Sequence, residues 1–467
     1  MFVRIERLKR WSQEQFGAAK LGDARWTRRL IAIAARAASG PNGKVTEVFL
    51  DAAERQGAYG LLESEEVKPT QLSAPMFAAT ALRCAKESLV FVAVDGSSLT
   101  LTDTEGTKGF GSIGSRKMGA RGLKVMSSFA LSAQGVPLGL LCQQWWVRTG
   151  EAVKQQHQKL PPSKKETRHW LAAIEGAGEQ IAQRACKTRL WYQLDREADN
   201  WAILSQLDAQ GHAFTVRANH NRRTLQDGGP MRHLRDVLSA QIVSCVYKLE
   251  VSAAAGRSAR TAVMHVRAAT VTLDFRDRTE HRHFPKTLNA VVAREHNPPP
   301  DQKAIEWMLL TNAQVETTED LAQVIYGYSL RWRIEEFHRT WKSGACNVEA
   351  MQLRSVSAAI KWATILAAVA VRIERIKLQS REHPELPATS EFSALEIKVI
   401  VRLRFENKKP PAHSKAPTLA QATTWLAELG GYTGKSSGGP PGSVILQRGM
   451  TQIQMAVRTL KAFNAKI

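Results

Sequence analysis

The spacing of apolar and polar positions changes several times along the chain. Near the start, apolar residues recur at helical intervals. They predict one helix over roughly Arg7–Ala18 and a second, capped by Asp23, running through RRLIAIAARAA. In that second helix Leu30, Ile31, Ile33 and Ala34 are expected to pack inward, leaving Arg25, Arg28, Arg29 and Arg36 largely outside. A third helix fits AAERQGAYGLLES. The pattern then turns to strands. Leu89–Val94 is a β-rich run ending at Asp95, and KVMSSFALSAQGVPLGLLCQQWWVR reads as a hairpin turning at Ala133–Gln134–Gly135. Next come a helix (Trp170–Ala185), a buried strand ending at Asp195, a helix (Asn200–Ala209) and the strand HAFTVRANH.

Residues 220–300 break this alternation. They hold the strand-like runs QIVSCVYKLEV, TAVMHVRAATVTLDF and TLNAVVARE and end at Pro298–Pro299–Pro300, which reads as a mostly β insertion. IEWMLLTN is a further strand. One long helix is then expected, with Thr317/Thr318 near its cap and YSLRWRIEEFHRTWK along its length. An apolar helix (Ala358–Lys377), the flexible stretch GGYTGKSSGGPPG and a final amphipathic helix (Val444–Phe463) complete the chain. At 467 residues, more than one core is expected. The reading is α/β, with a helical domain over 1–70 and a catalytic domain over 71–378 that contains the insertion at about 220–300. A mostly helical domain follows over 379–467. The order of three strands, helix, strand and helix resembles an RNase H-like core.

Charge narrows the partner. The formal net charge is +22 and the pI about 10. Such an excess repels itself and is best tolerated against a polyanion, so nucleic acid is expected. Residues 1–44 hold ten Lys/Arg against three acids, and residues 396–467 hold eleven against three. No 18-residue apolar run and no signal-peptide pattern is visible, which argues against a membrane. The five cysteines are scattered without CxxC or Cys/His pairing and read as reduced thiols of a cytoplasmic protein without structural zinc.

Two features carry chemistry. On one helix at about 100° per residue, Arg331, Glu335 and Lys342 fall at about −60°, −20° and −40° from Tyr328, with Arg339 at about +20°. Such a stripe suits a phosphate backbone, with one carboxylate left for a cation; it also fits a solvated helix with near-neutral Arg–Glu pairs. Asp95 and Asp195 each close an apolar strand, where an uncompensated charge is costly and where α/β folds place ligands. With Glu335 they form a set of hard oxygen donors suited to two divalent metals. Glu197, Asp199 and Glu336 compete for these roles, although Glu336 lies about 100° off the stripe.

VDGSS, LDREAD and YSLRWRIEEFHRTWKSG resemble the three motif regions of the insertion-sequence-four family of DDE transposases. That family's Tyr–Arg–Glu–Lys signature, with two, three and six intervening residues, matches Tyr328, Arg331, Glu335 and Lys342. LGDARWTRRL, QGAYGLL, GSIGSRKMGARG, LCQQWWVR and EWMLLTN extend the likeness over about two-thirds of the chain. It fades in the insertion and in the last 70 residues. Gly60 departs from the pattern where the family carries an arginine associated with end binding, which implies a difference in DNA-end specificity.

The resemblance implies a cut-and-paste enzyme in which Asp95, Asp195 and Glu335 hold two Mg²⁺, with Mn²⁺ as a substitute. It also implies phosphate contacts from Tyr328, Arg331, Lys342 and Arg339, and base stacking by Trp307, which otherwise reads as a core tryptophan. The N-terminal domain, with Arg25, Arg28 and Arg29, is expected to bind double-stranded transposon ends, and the C-terminal domain to support a homodimeric synaptic complex. A DNA-binding protein without transposition, and a nuclease that cuts without joining, are the alternatives.

Overall fold

The computed structural model describes residues 5–114, 119–148, 164–225, 232–253, 258–277, 282–406, 408–410, 416–434 and 439–463. Arg4, part of GSIGSRKMGARG (115–118) and part of the Gly/Ser/Pro stretch (435–438) lie outside them.

Five helices open the chain: α1 (Ile5–Phe16), α2 (Ala24–Ser39), α3 (Val45–Val48), α4 (Ala52–Glu63) and α5 (Pro69–Cys84). Asp23 caps α2 as expected, its carboxylate accepting the N–H of Arg25 and supplying a partner that the first helical turn otherwise lacks. Leu30, Ile31, Ile33 and Ala34 are buried. Arg25, Arg28 and Arg29 are exposed, while Arg36 is half-buried beside Glu54 at 3.5 Å.

The central segment contains β1 (Leu89–Thr100), β2 (Gly111–Ser112), β3 (Arg121–Leu131), β4 (Pro137–Trp146), α6 (Thr167–Arg184), β5 (Arg189–Leu194), α7 (Trp201–Ala209) and β6 (Ala213–Arg217). It continues through β7 (Arg223–Leu225), β8 (Arg232–His233), α8 (Leu234–Ser239), β9 (Cys245–Val251), β10 (Arg260–Asp277), β11 (Arg282–Glu295) and β12 (Glu306–Thr311). The hairpin of β3 and β4 turns at the expected place, where Gly135 takes φ +80°, a conformation that suits glycine.

All these strands join one mixed sheet with the order β2-β3-β1-β5-β6-β12-β11-β10-β7-β8, while β4 adds to β3 and β9 to β10. Antiparallel β4-β3-β1 followed by parallel β5 and β6 is consistent with an RNase H-like core. The insertion is largely β as expected, yet it extends the central sheet through β11 and β12.

β1 departs from expectation. It does not end at Asp95 but runs on to Thr100, because β3 pairs with it as far as Thr100↔Gly122 and satisfies its backbone throughout.

Helices α9 (Thr318–Ser329), α10 (Trp332–Lys342), α11 (Val356–Glu382), α12 (Ala394–Arg404), α13 (Leu419–Leu429) and α14 (Ser443–Ala462) finish the chain. By length and composition α11 could cross a membrane, although it holds no unbroken 18-residue apolar run, but 83% of its most apolar stretch is buried inside the protein.

One core unites the N-terminal helices with one face of the sheet and α9–α11. A second core fills the opposite face, and a third joins the end of α11 to α12–α14. The boundaries expected at 70/71 and 378/379 therefore fall inside α5 and α11.

Candidate active site

Strand register brings the two aspartates together. β1 and β5 run parallel, and their last paired residues are Val94↔Leu194. Asp95 and Asp195 each stand one residue further on, from strands that neighbour each other at about 4.8 Å. Val90, Val92, Val94, Leu190, Tyr192 and Leu194 fill the second core, whereas Phe91, Ala93 and Trp191 fill the first. By strand alternation Asp95 and Asp195 continue the odd-numbered series, on the face that α9–α11 cover.

The expected single helix from Tyr328 to Lys342 is broken in two. Leu330 and Arg331 form a tight turn in which Arg331 N–H bonds Tyr328 C=O, Arg333 N–H bonds Leu330 C=O and Ile334 N–H bonds Arg331 C=O. These i→i−3 bonds wind the chain at about three residues per turn, which shifts the angular phase between Tyr328 and α10. Tyr328 nevertheless stays beside Arg331, whose charge its phenol feels, as the buried end of the stripe. Tyr328 is buried in the first core, edge-on to Trp307 at 5.4 Å. Burial pushes its phenol pKa up, opposed by the charge of Arg331.

Within α10 the division of faces is regular. Ile334, Phe337 and Trp341 are buried, with Phe337 stacked on Phe129 of β3 at 5.2 Å. This anchorage turns Glu335 and His338, one helical turn apart, toward Asp95. Ligand atoms of Asp95, Glu335 and His338 all lie within 4.8 Å of one another. Arg331 spans the group, 3.4 Å from Glu335 and 3.9 Å from Asp95. Asp195 stands outside this tight trio. One of its oxygens caps a short 3₁₀ turn by accepting the N–H of Glu197 at 2.7 Å, while its charge still acts on Asp95, Tyr328 and Arg331.

The electrostatics are those of a cluster short of positive charge. Burial, then the neighbouring Glu335, push the Asp95 carboxyl up to about 7, against the pull of Arg331. Burial, with Lys342 and Arg331 nearby, lowers His338 to about 3, so its imidazole is neutral and can donate a lone pair. Its Nδ1 faces Asp95 at 3.9 Å, and its buried Nε2 has no hydrogen-bond partner among the described residues. Carboxylate oxygens plus one neutral imidazole fit a divalent cation: the oxygens suit Mg²⁺ or Mn²⁺, and the nitrogen favours the latter.

The rival acids are accounted for. Asp199 has a fully buried side chain and is held by Arg222 at 2.6 Å. Glu336 sits between Arg333 (2.9 Å) and Lys377 (3.5 Å), which outweigh burial and hold its carboxyl below the ordinary value. Glu197 is exposed.

Among the other residues named from sequence, Arg339 is exposed and Trp307 half-buried. Arg25, Arg28 and Arg29 lie on α2, away from the elements that carry the carboxylates; Arg29 rests over Trp26 at 5.4 Å and alongside Gly60. His338 was not anticipated, although its i,i+3 spacing from Glu335 on a helix was a usable signal.

Residues 8–67 match a family described as "Transposase DNA-binding", and residues 157–372 match one described as "Transposase DDE domain". The second match contains Asp195 and Glu335 and leaves Asp95 to be located by strand register. With a DNA-binding region, a DDE domain and a metal-ready carboxylate cluster, the chain belongs to the DDE transposases, metal-dependent enzymes that act on DNA.

Proposed function

We propose that the chain is a cut-and-paste transposase of the insertion-sequence-four kind, similar to the transposase of transposon five, working on bacterial DNA in the cytoplasm. Asp95, Asp195 and Glu335 are its catalytic carboxylates. When bound there, two divalent cations, Mg²⁺ or alternatively Mn²⁺, would acidify an attacking hydroxyl and offset charge on the transferred phosphorus. The neutral His338 adds a donor on the same side. Arg331, with Tyr328 behind it, holds a phosphate beside the carboxylates, and Lys342 and Arg339 extend the contact along α10.

In the proposed sequence of reactions, water nicks one strand at the transposon end and the freed 3′-OH attacks the opposite strand, closing a hairpin. A second water opens the hairpin, and the 3′-OH joins target DNA. The hairpin strains its terminal bases, and Trp307 offers a stacking surface for one that flips out. The helical N-terminal region binds the ends through Arg25, Arg28 and Arg29, and the C-terminal helices support a homodimer that pairs two ends.

The observation that supports this reading most is the parallel register Val94↔Leu194, after which Asp95 and Asp195 are the next residues on neighbouring strands, together with the grouping of Asp95 with Glu335. It is tested with a plasmid bearing the DNA that flanks the gene on both sides. Divalent-dependent nicks and hairpins at paired inverted repeats are expected. Binding without cleavage supports the non-transposing alternative, and cleavage without joining supports a nuclease.

A further inference from the structure

Lys342 has a carboxylate partner that the proposed chemistry does not use. After α10 the chain turns through Asn347, which takes the left-handed conformation (φ +45°), into a 3₁₀ turn over Val348–Ala350. This turn carries Glu349 back against the end of β1. One oxygen of Glu349 accepts the N–H of Thr100 at 2.8 Å, and the same oxygen lies 3.8 Å from Nζ of Lys342. Both side chains are about one-quarter exposed, 28% for Lys342 and 23% for Glu349. The pair therefore sits at the rim of the site, within reach of a ligand approaching from solvent. Its geometry is that of an ion pair without a direct hydrogen bond, which is weak at such exposure.

We infer that Glu349 is a positioning residue that stands in for a DNA phosphate in the free protein. It keeps the Lys342 ammonium aimed along the rim until a phosphate oxygen takes over that charge. Its bond to Thr100 N–H keeps Glu349 in place during the exchange, so the carboxylate then lies close to the bound phosphate and weakens the contact. The residue thus trades affinity for an oriented, releasable phosphate site. This inference rests on the reading of Lys342 as a phosphate contact.

The test uses the full-length protein and a 20-base-pair duplex of arbitrary sequence in EDTA, with affinity followed by fluorescence anisotropy across a salt series. Phosphate contacts are independent of sequence, so the probe needs no knowledge of the ends. Glu349→Gln keeps an amide oxygen for Thr100 N–H but removes the charge. It is expected to bind roughly three- to tenfold more tightly, while the melting temperature stays at the wild-type value. Lys342→Met is expected to bind more weakly and to lower the salt slope by about one. Glu349→Gln placed on the Lys342→Met background should then bring no further gain.

Equal tightening on both backgrounds would show that Glu349 repels DNA without acting through Lys342, and would overturn the inference. Unchanged or weaker binding by Glu349→Gln, with Lys342→Met behaving as expected, would overturn it while leaving the phosphate role of Lys342 intact. An unchanged affinity and salt slope in Lys342→Met would overturn the underlying reading itself.

Discussion

Asp199 and Asp95 are both largely shielded from water, each opposite an arginine, and they are treated in opposite ways. Asp199 receives the Arg222 guanidinium on both oxygens at 2.6 Å and the N–H of Asn219 at 2.7 Å, and Arg222 itself lies over Phe275 at 4.4 Å. Asp95 accepts the N–H of Gly96 at 2.9 Å, but its arginine stops at 3.9 Å, and Glu335 and Asp195 add charge of the same sign. Burying a carboxylate is costly unless partners replace its water. Around Asp199 they do, and the acid serves the fold. Around Asp95 they do not, and the missing charge is one that a divalent cation can supply.

The largest expected effect separates these two roles. Asp95→Ala, Asp195→Ala or Glu335→Ala should lower divalent-dependent nicking by at least about 10³-fold, while DNA binding and the melting temperature stay near wild type. Asp199→Ala should do the reverse. It leaves a buried arginine unpaired, at a cost of roughly 3–5 kcal/mol, which calorimetry would register as a large drop in melting temperature. An Asp199→Ala protein that melts normally but cannot nick would place Asp199 in the catalytic set instead.

A smaller effect is expected at Trp307. Removing its ring in Trp307→Ala takes away a stacking contact of about 1–3 kcal/mol, so hairpin formation or opening should slow about tenfold to a hundredfold with first-strand nicking preserved. Denaturing gels of end-labelled substrate read this directly. If wild-type protein never passes through a hairpin, Trp307 has no such role.

The smallest effect concerns pH. The Asp95 carboxyl is raised in the folded protein to about 7, from an ordinary 3.8. Its stabilising contribution is therefore complete below about pH 4 and is lost as pH rises through about 7. In EDTA, the melting temperature of wild type relative to Asp95→Asn should fall by roughly 2–5 °C between pH 5 and pH 8. Saturating Mn²⁺ should abolish that fall. A constant difference across this range would show that Asp95 carries no such strain.

Much of this arrangement could be read from residues alone, and the misses share a cause. Local signals with a local origin survived: the Asp23 cap, the Gly135 turn, and the apolar runs leading to Asp95 and Asp195. Features decided by distant partners did not. β1 runs past Asp95 because β3 pairs with it, although Asp–Gly looks like a turn. The expected single helix broke at a 3₁₀ turn over Leu330–Arg331, a step that a uniform 100° projection cannot represent, and Tyr328 beside Arg331 is buried where a solvated stripe was expected. The competition among Asp195, Asp199 and Glu197 could not be resolved without Arg222, which lies more than twenty residues from Asp199 and claims it. Helix α5, with its internal Pro75, had no legible pattern and was missed altogether.

The most direct test of the central claim, that Asp95 and Glu335 form a cation site left short of positive charge, is calorimetric titration of the full-length protein with Mn²⁺ at pH 8 without DNA. The account predicts binding by wild type, binding of similar affinity by Glu336→Gln and Asp199→Asn wherever these remain folded, and at least about tenfold weaker binding by Asp95→Asn and by Glu335→Gln. Wild-type affinity and stoichiometry in both Asp95→Asn and Glu335→Gln would contradict it.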